Sequence, residues 1–349
     1  MKRFDMDALR RAIADARPGA ASDLVRRTLA QHGLMADGQP EARNPLSAMT
    51  DMLNRQARPA PLAPLVPGAS FKADRFTCAA GGRDYLTYVP ASAGNGATGL
   101  VVMLHGCTQT HADFAAGTGM NALAEQHGLV AVYPQQSRGD NAQSCWNWFS
   151  PADQQRARGE PAILAGITTH VAKAHGIPAS GTFVAGLSAG AAMAVILGQT
   201  YPDLFAAVGT HAGLAYGSAR DLPSAFAAMA GNVTDPQRPV QPTPTIIFQG
   251  SADNTVSPAN ADRIASDVLK AGPELTLFDT ATGQQNGRNF VCETTTTGDG
   301  AVLLEYWKID GLGHAWSGGN PAGSYTDPAG PDASAEMVRF FMGLGRKGD

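Results

Sequence analysis

The sequence is short of charge, and its absences narrow the field before any motif is read. Asp, Glu, Lys and Arg make up only 16% of the 349 residues, and the formal net charge is −4. Such a balance provides no broad basic field, so nucleic acid is not an expected partner. No run of 18 apolar residues occurs, so no membrane span is expected. The four cysteines, Cys78, Cys107, Cys145 and Cys292, contain no C-x-x-C pair, which argues against a cysteine zinc site. Residues 1–33 carry Arg and Asp throughout and lack the apolar core, about 7–15 residues long, of a secretory leader. Read alone, that start points to a protein kept inside the cell, to export by another route, or to a wrongly assigned start. What is abundant is apolar: 44% of the chain, enough for a sizeable core.

The chain divides near residue 70. Residues 5–16, 22–32 and 45–55 read as short amphipathic helices, with Ser22 and Asp23 at a helix start and Gly33 as a stop. Residues 1–58 hold ten Lys/Arg and seven Asp/Glu, a local net of +3, which leaves −7 for the remainder. Pro59, Pro61, Pro64 and Pro67 make residues 59–70 an extended, stiff linker. From residue 71 to 349 the pattern is that of an α/β domain. Strands are expected at 75–79 and 85–89 around a Gly81-Gly82 turn, then at 100–104, 129–133, 182–185, 206–210, 245–248 and 303–309. Helices are expected at 112–127, 161–175, 189–200, 258–270 and 332–342. This alternation implies a mainly parallel sheet covered on both faces.

One pentapeptide stands in a telling place. Gly186-Leu187-Ser188-Ala189-Gly190 is G-x-S-x-G, after an expected strand and before an expected helix rich in small residues. In the α/β-hydrolase fold such a sharp strand-to-helix turn lifts a serine hydroxyl clear of the sheet, and the helix N-terminus faces the developing oxyanion. In 40 glycines the pentapeptide could arise by chance; the strand before and helix after it make Ser188 the expected nucleophile. A serine hydroxyl needs a base, and in this fold the order along the chain is Ser, acid, His. Asp253 follows the expected strand at 245–248 and is the expected acid, whereas Asp262 falls inside a helix and Asp327 and Asp332 read as loop or cap residues. His314, in Gly-Leu-Gly-His-Ala-Trp after the strand at 303–309, is the expected base. His211 also follows a strand but precedes Asp253, and His127, His170 and His175 fall on helices or their ends.

The loop after the strand at 100–104 begins His105-Gly106-Cys107, where the fold places a second oxyanion donor. The backbone N–H groups of Cys107 and Ala189 are the expected donors, with His105 as a structural residue of the loop. The aromatic stretch Cys145-Trp146-Asn147-Trp148-Phe149 reads either as a packed plug or as a substrate wall. Trp146, Trp148 and Trp316 are candidate substrate contacts. The cysteines read either as four buried thiols or as two disulfides. A Cys107–Cys145 bond would tie the aromatic loop to the oxyanion loop and leave Cys78 and Cys292 as the other pair.

These segments together resemble a known family. HGCTQT (105–110), YPQQ with CWNWF (133–149), GLSAGAAM (186–193), FQGSADNTV (248–256) and GLGHAWSGG (311–319) are similar to the polyhydroxybutyrate (PHB) depolymerase-type esterases, which are related to feruloyl and acetylxylan esterases of carbohydrate esterase family 1. The resemblance covers residues 70–345. It implies an α/β-hydrolase fold, a triad on Ser188, Asp253 and His314, and hydrolysis of carboxylic esters with no metal or cofactor. The implied substrate and partner is a short hydroxyalkanoate polymer or oligomer ester, with plant polysaccharide esters as the alternative. Two non-hydrolytic readings stand beside it: a polymer-granule binding protein using residues 1–58, and an acyltransferase on the same triad. Secreted polymer depolymerases usually carry a leader, a C-terminal linker and a polymer-binding domain. The region of resemblance includes no such binding domain, while the family itself points to export.

Overall fold

The computed structural model describes residues 65–232, 242–273 and 275–344. The helices expected within residues 5–55, and the linker as far as Pro64, lie outside the described residues.

Near-continuous apolar runs fix the middle of the fold. Gly99–Leu104 (β3), Leu129–Pro134 (β4), Thr182–Leu187 (β5), Ala207–His211 (β6) and Thr245–Gly250 (β7) are buried at every position. Strands apolar on both faces need cover on both faces, the condition of a parallel sheet between helical layers. Ser70–Cys78 (β1) and Gly81–Val89 (β2) add an antiparallel hairpin at one edge. Leu275–Gln285 (β8), Arg288–Thr297 (β9) and Val302–Ile309 (β10) complete the other edge. The order is β1-β2-β4-β3-β5-β6-β7-β10-β9-β8, with β4, β3, β5, β6, β7 and β10 mutually parallel. Trp316–Ser317 (β11) and Thr326–Asp327 (β12) form a separate short pair.

Side chains alternate across this sheet into two cores. Leu100, Val102, Leu104 and Val184 pack with Gly159–Ala174 (α3), Ala189–Thr200 (α4) and Ala259–Ala271 (α6). Val101, Met103, Ala185 and Leu187 pack with His111–Thr118 (α1), Met120–His127 (α2) and Ala333–Gly343 (α7). Leu222–Met229 (α5) joins the first core through Ala225 and Ala228. The result is a three-layered α/β-hydrolase fold. Among the described residues no helix is long and apolar enough to cross a membrane.

Several sequence expectations need correction. The hairpin turn is Ala79-Ala80, because Cys78 pairs with Gly81; Gly81 and Gly82 open β2. The single helix expected at 112–127 is two, divided at Gly119. Strands β8 and β9 and helix α5 lie beyond the expected elements. Their signals are present: Asn286-Gly287, both at positive φ, is a tight hairpin turn between β-rich runs. Asp221 and Ser224 form a reciprocal capping box at the start of α5.

Candidate active site

The three expected catalytic side chains all sit where parallel strands end. Ser188 follows β5, Asp253 follows β7, and His314 follows β10. This is the carboxyl edge of the sheet, where ligands gather in open α/β folds.

Ser188 has φ 57° and ψ −119°, a strained conformation for a residue with a side chain. Such geometry costs roughly 1–3 kcal/mol and persists only where the surroundings enforce it. Here they do. The Ser188 N–H donates to the His211 carbonyl at 2.9 Å, extending the β5–β6 ladder into the turn. Gly190 lies so close to the end of the neighbouring strand β3 that a Cβ would stand 2.1 Å from the Leu104 carbonyl oxygen, and a Cβ on Gly186, in β5, would stand 2.4 Å from the Gly190 backbone. The two motif glycines therefore let strand and helix meet at a distance no larger residue permits. Ser188 begins α4 as its N-cap.

Asp253 and His314 are in direct contact. Asp253 Oδ2 and His314 Nδ1 are 2.8 Å apart, and the carboxyl is buried. The other oxygen, Oδ1, accepts the N–H groups of Thr255 at 2.8 Å and Val256 at 2.9 Å. Burial works against the charged form of Asp253. The adjacent His314, its hydrogen bond and the two backbone amides outweigh it and hold the carboxyl below its ordinary range. An ionised Asp253 accepts from Nδ1–H, so the proton-accepting lone pair of a neutral His314 is on Nε2.

The loop after β3 supplies amides to the same edge. The Cys107 N–H has no acceptor among the described residues, and the Ala189 N–H is the first of α4, where no intrahelical partner exists. Cys107 is bonded to Cys145, with Cα atoms 4.2 Å apart. His105 fixes the loop from behind. Its buried ring donates from Nδ1 to the Gly106 carbonyl at 2.7 Å and accepts the Gln136 N–H on Nε2 at 3.0 Å. Burial pushes its pKa down to about 4, so it stays neutral. Gln109 adds a second anchor: Oε1 accepts the Gly106 N–H at 2.9 Å, and Nε2 donates to Asp113 at 2.9 Å and the Ser324 carbonyl at 3.0 Å.

Beneath the aromatic loop lies a buried acid with no local signal in the sequence. Glu160 accepts from the Asn147 N–H and the Asn147 side chain at 2.8 Å each, and from Gln136 Nε2. Arg83 stands 3.3 Å away. Burial pushes the Glu160 pKa up to about 7. Gln136 also donates to the Cys145 carbonyl at 2.9 Å, so the network braces the disulfide-linked segment.

The expected substrate wall is corrected. Trp146 is fully buried and donates from Nε1 to the His105 carbonyl at 3.1 Å. Trp316 is 1% exposed, packs edge-on to Phe114 and donates to Ser334 Oγ at 3.1 Å. Trp148 is 6% exposed and lies against Phe149. These aromatic bodies are core, the packed-plug alternative. The second cysteine pairing is also corrected: Cys78 and Cys292 are free. Cys78 ends β1 and Cys292 lies in β9, eight strand positions apart, roughly 30–40 Å at ordinary strand spacing. Among the described residues no three His, Cys, Asp or Glu side chains could hold a metal ion. A cavity of about 610 Å³ lies beside the β8–β9 arm, lined by Ser251, Phe290 and Asp310 among others, and includes none of Ser188, Asp253 and His314.

With this geometry in hand, comparison with known proteins is decisive. The profile of the family described as Esterase PHB depolymerase matches residues 83–291. The chain belongs to this family. It is 36% identical over 233 residues to poly(3-hydroxyalkanoate) depolymerase C of Paucimonas lemoignei, covering 62% of this chain and 54% of that protein. It is 30% identical over 192 residues to a probable acetylxylan esterase A of Aspergillus flavus, covering 50% and 61%. The chain thus spans between half and two thirds of the length of these curated relatives. Among solved structures, an acetyl xylan esterase from Aspergillus awamori superposes with a TM-score of 0.55 at 23% identity, over 74% of this chain and 94% of that one, a likeness of fold.

Proposed function

We propose that this PHB depolymerase-type esterase is a serine hydrolase of carboxylic esters, acting on short-chain polyhydroxyalkanoate polymer or oligomer through an acyl-enzyme. The observation that carries the reading is the part-buried Asp253–His314 hydrogen bond of 2.8 Å, at the strand edge where the strained Ser188 turn and two unpaired amides also lie. Ser188 Oγ attacks the ester carbonyl as His314 Nε2 takes its proton. Asp253 holds the imidazole tautomer and stabilises the imidazolium. The Cys107 and Ala189 N–H groups receive the tetrahedral oxyanion; one such donor is worth about 10²–10³ in rate. His314 returns its proton to the leaving alkoxide, then activates water to release the acyl group. No step needs a metal or cofactor.

The hydroxyalkanoate preference is supported by the depolymerase relative, whose identity exceeds that of the acetylxylan esterase. A polysaccharide acetyl or feruloyl ester is the second reading, favoured by that esterase relative. The Cys107–Cys145 disulfide fits an oxidising compartment, and export is part of the proposal.

Assays of wild type and Ser188→Ala on hydroxybutyrate oligomers, p-nitrophenyl butyrate and methyl ferulate test the reading. Cleavage by wild type and a loss of about 10⁶ in kcat for Ser188→Ala is the expected result. Equal inactivity of both on all three esters would reject it and favour a binding protein.

A further inference from the structure

Another buried group stands among the strand ends and takes no part in the chemistry above. His211 closes β6, paired to Leu187 on one side and Phe248 on the other. It is fully buried. Its main-chain carbonyl accepts the Ser188 N–H at 2.9 Å. Its ring Nε2 accepts the Ser317 N–H at 3.1 Å, three residues beyond His314. The ring is clamped between Trp316 and Phe248, with centroids at 5.2 and 5.8 Å and interplanar angles of 27° and 13°. One residue therefore grips the turn that carries Ser188 and the loop that carries His314.

The tautomer follows from these contacts. Accepting an N–H on Nε2 requires a lone pair there, so the ring proton is on Nδ1. That Nδ1 is buried and has no partner among the described residues. An unpaired buried donor is destabilising, because it gives up its hydrogen bond to water and gains none. For stability alone an apolar ring would avoid this cost, but it would leave the Ser317 amide without an acceptor and the His314 loop without its tether. Burial, with His314 nearby, pushes the His211 pKa down to about 3, so the ring keeps its acceptor at any ordinary pH. It also adds no positive charge beside His314 when that residue becomes an imidazolium.

We propose that His211 is a positioning residue that sets the separation of Ser188 and His314 by holding the Ser317 amide on its ring and the Ser188 amide on its backbone. The inference rests on the reading of Ser188 as nucleophile and His314 as base. His211 is not an alternative base: Nε2 is committed to Ser317, and Nδ1 already carries its proton.

Three substitutions separate the acceptor from the ring. His211→Phe keeps the stack and removes the acceptor, His211→Asn offers an oxygen near the Nδ1 position, and His211→Gln offers one near Nε2. The readout is the rate of covalent labelling of the protein by an alkyl fluorophosphonate, with the labelled residue located by peptide mass spectrometry and Ser188→Ala as reference. Each rate is taken below that variant's own melting transition. His211→Phe and His211→Asn are expected to label about 10–10² times more slowly than wild type, the size of effect a misplacement near 1 Å can have. His211→Gln is expected to recover to within about threefold of wild type. On p-nitrophenyl butyrate the same losses fall on kcat, with KM within about twofold. If Ser188→Ala labels as fast as wild type, the nucleophile assignment fails and this proposal with it. If Ser188→Ala is silent while His211→Asn labels at the wild-type rate, or while His211→Gln is as slow as His211→Asn, the positioning role is overturned and the nucleophile stands. Should His211→Phe not fold, the Asn and Gln variants decide the matter alone.

Discussion

The proposed nucleophile side of the site and the proposed oxyanion side are built by different means. Ser188, Asp253 and His314 leave the ends of three parallel strands, and sheet register places them. Ser188's strain is enforced by backbone against backbone, through Gly190 and the Leu104 carbonyl. Cys107 instead rides on a loop with no such register. Its place is set by a disulfide to Cys145, a buried His105 and a Glu160–Gln136–Asn147 network. The lesson is that one half of the candidate site depends on packing already required by the fold, while the other depends on polar partners recruited from segments distant in sequence.

Substitutions on the two sides should break in correspondingly different ways. The largest effect is expected for Asp253→Asn, which keeps the shape but takes away the charge that holds the His314 tautomer. A kcat loss of about 10⁴ with an almost unchanged melting temperature is predicted from steady-state kinetics and thermal melts. A large drop in melting temperature would mean that the acid is structural as well. Next is Cys145→Ser on the oxyanion side. Opening a loop with a sequence separation of 38 costs about 3–4 kcal/mol of stability. Here stability and kcat should fall together, measured by denaturant unfolding and assays with and without reductant.

The pH dependence of stability sharpens the same contrast. His105 and His211 have folded pKa values of about 4 and about 3, below the ordinary 6.5. The unfolded chain binds their protons first, so their contribution is complete above pH 6.5 and is lost as pH falls toward 4. Each histidine contributes a slope of about 1.4 kcal/mol per pH unit within that window. Glu160 acts oppositely: its folded pKa of about 7 exceeds the ordinary 4.5, so its contribution is present below 4.5 and is lost as pH rises through 7. The two signs offset each other between pH 5 and 6.5. Glu160→Gln should therefore steepen the acid-side loss, as read from unfolding free energies at pH 5, 6 and 7; an unchanged slope would show that Glu160 is ionised throughout. The smallest effect is expected for Cys78→Ser. Cys78 is free and half-buried, so a stability change below about 1 kcal/mol, with activity retained, is the expected outcome in melts and assays.

How much of this is legible in the sequence follows the same divide. The Ser188 turn, Asp253 and His314 are local signals: a strand, a short glycine-containing turn, a reactive side chain. The central strands β3 to β7 are legible for the same reason, because burial on both faces leaves an apolar run. Glu160 carries no such sign, since a charged residue on a helix normally reads as a solvated face and its partners are 13 to 77 residues away. The tryptophans mislead because composition shows that a loop is aromatic but not which way its rings face. Strand β8 escapes notice because it is exposed at the sheet edge and lacks the apolar run that marks an interior strand. Its Asn286-Gly287 turn is the available signal.

The two halves meet only where a tetrahedral centre would form, and a crystal structure of the Ser188 phosphonate adduct observes that meeting directly. The phosphonate stands for the tetrahedral intermediate, with its phosphoryl oxygen in the place of the oxyanion. The account predicts a bond from phosphorus to Ser188 Oγ, and the phosphoryl oxygen about 2.7–3.1 Å from both the Cys107 and Ala189 amide nitrogens. An adduct on another residue, or an oxygen turned away from both amides, would contradict it.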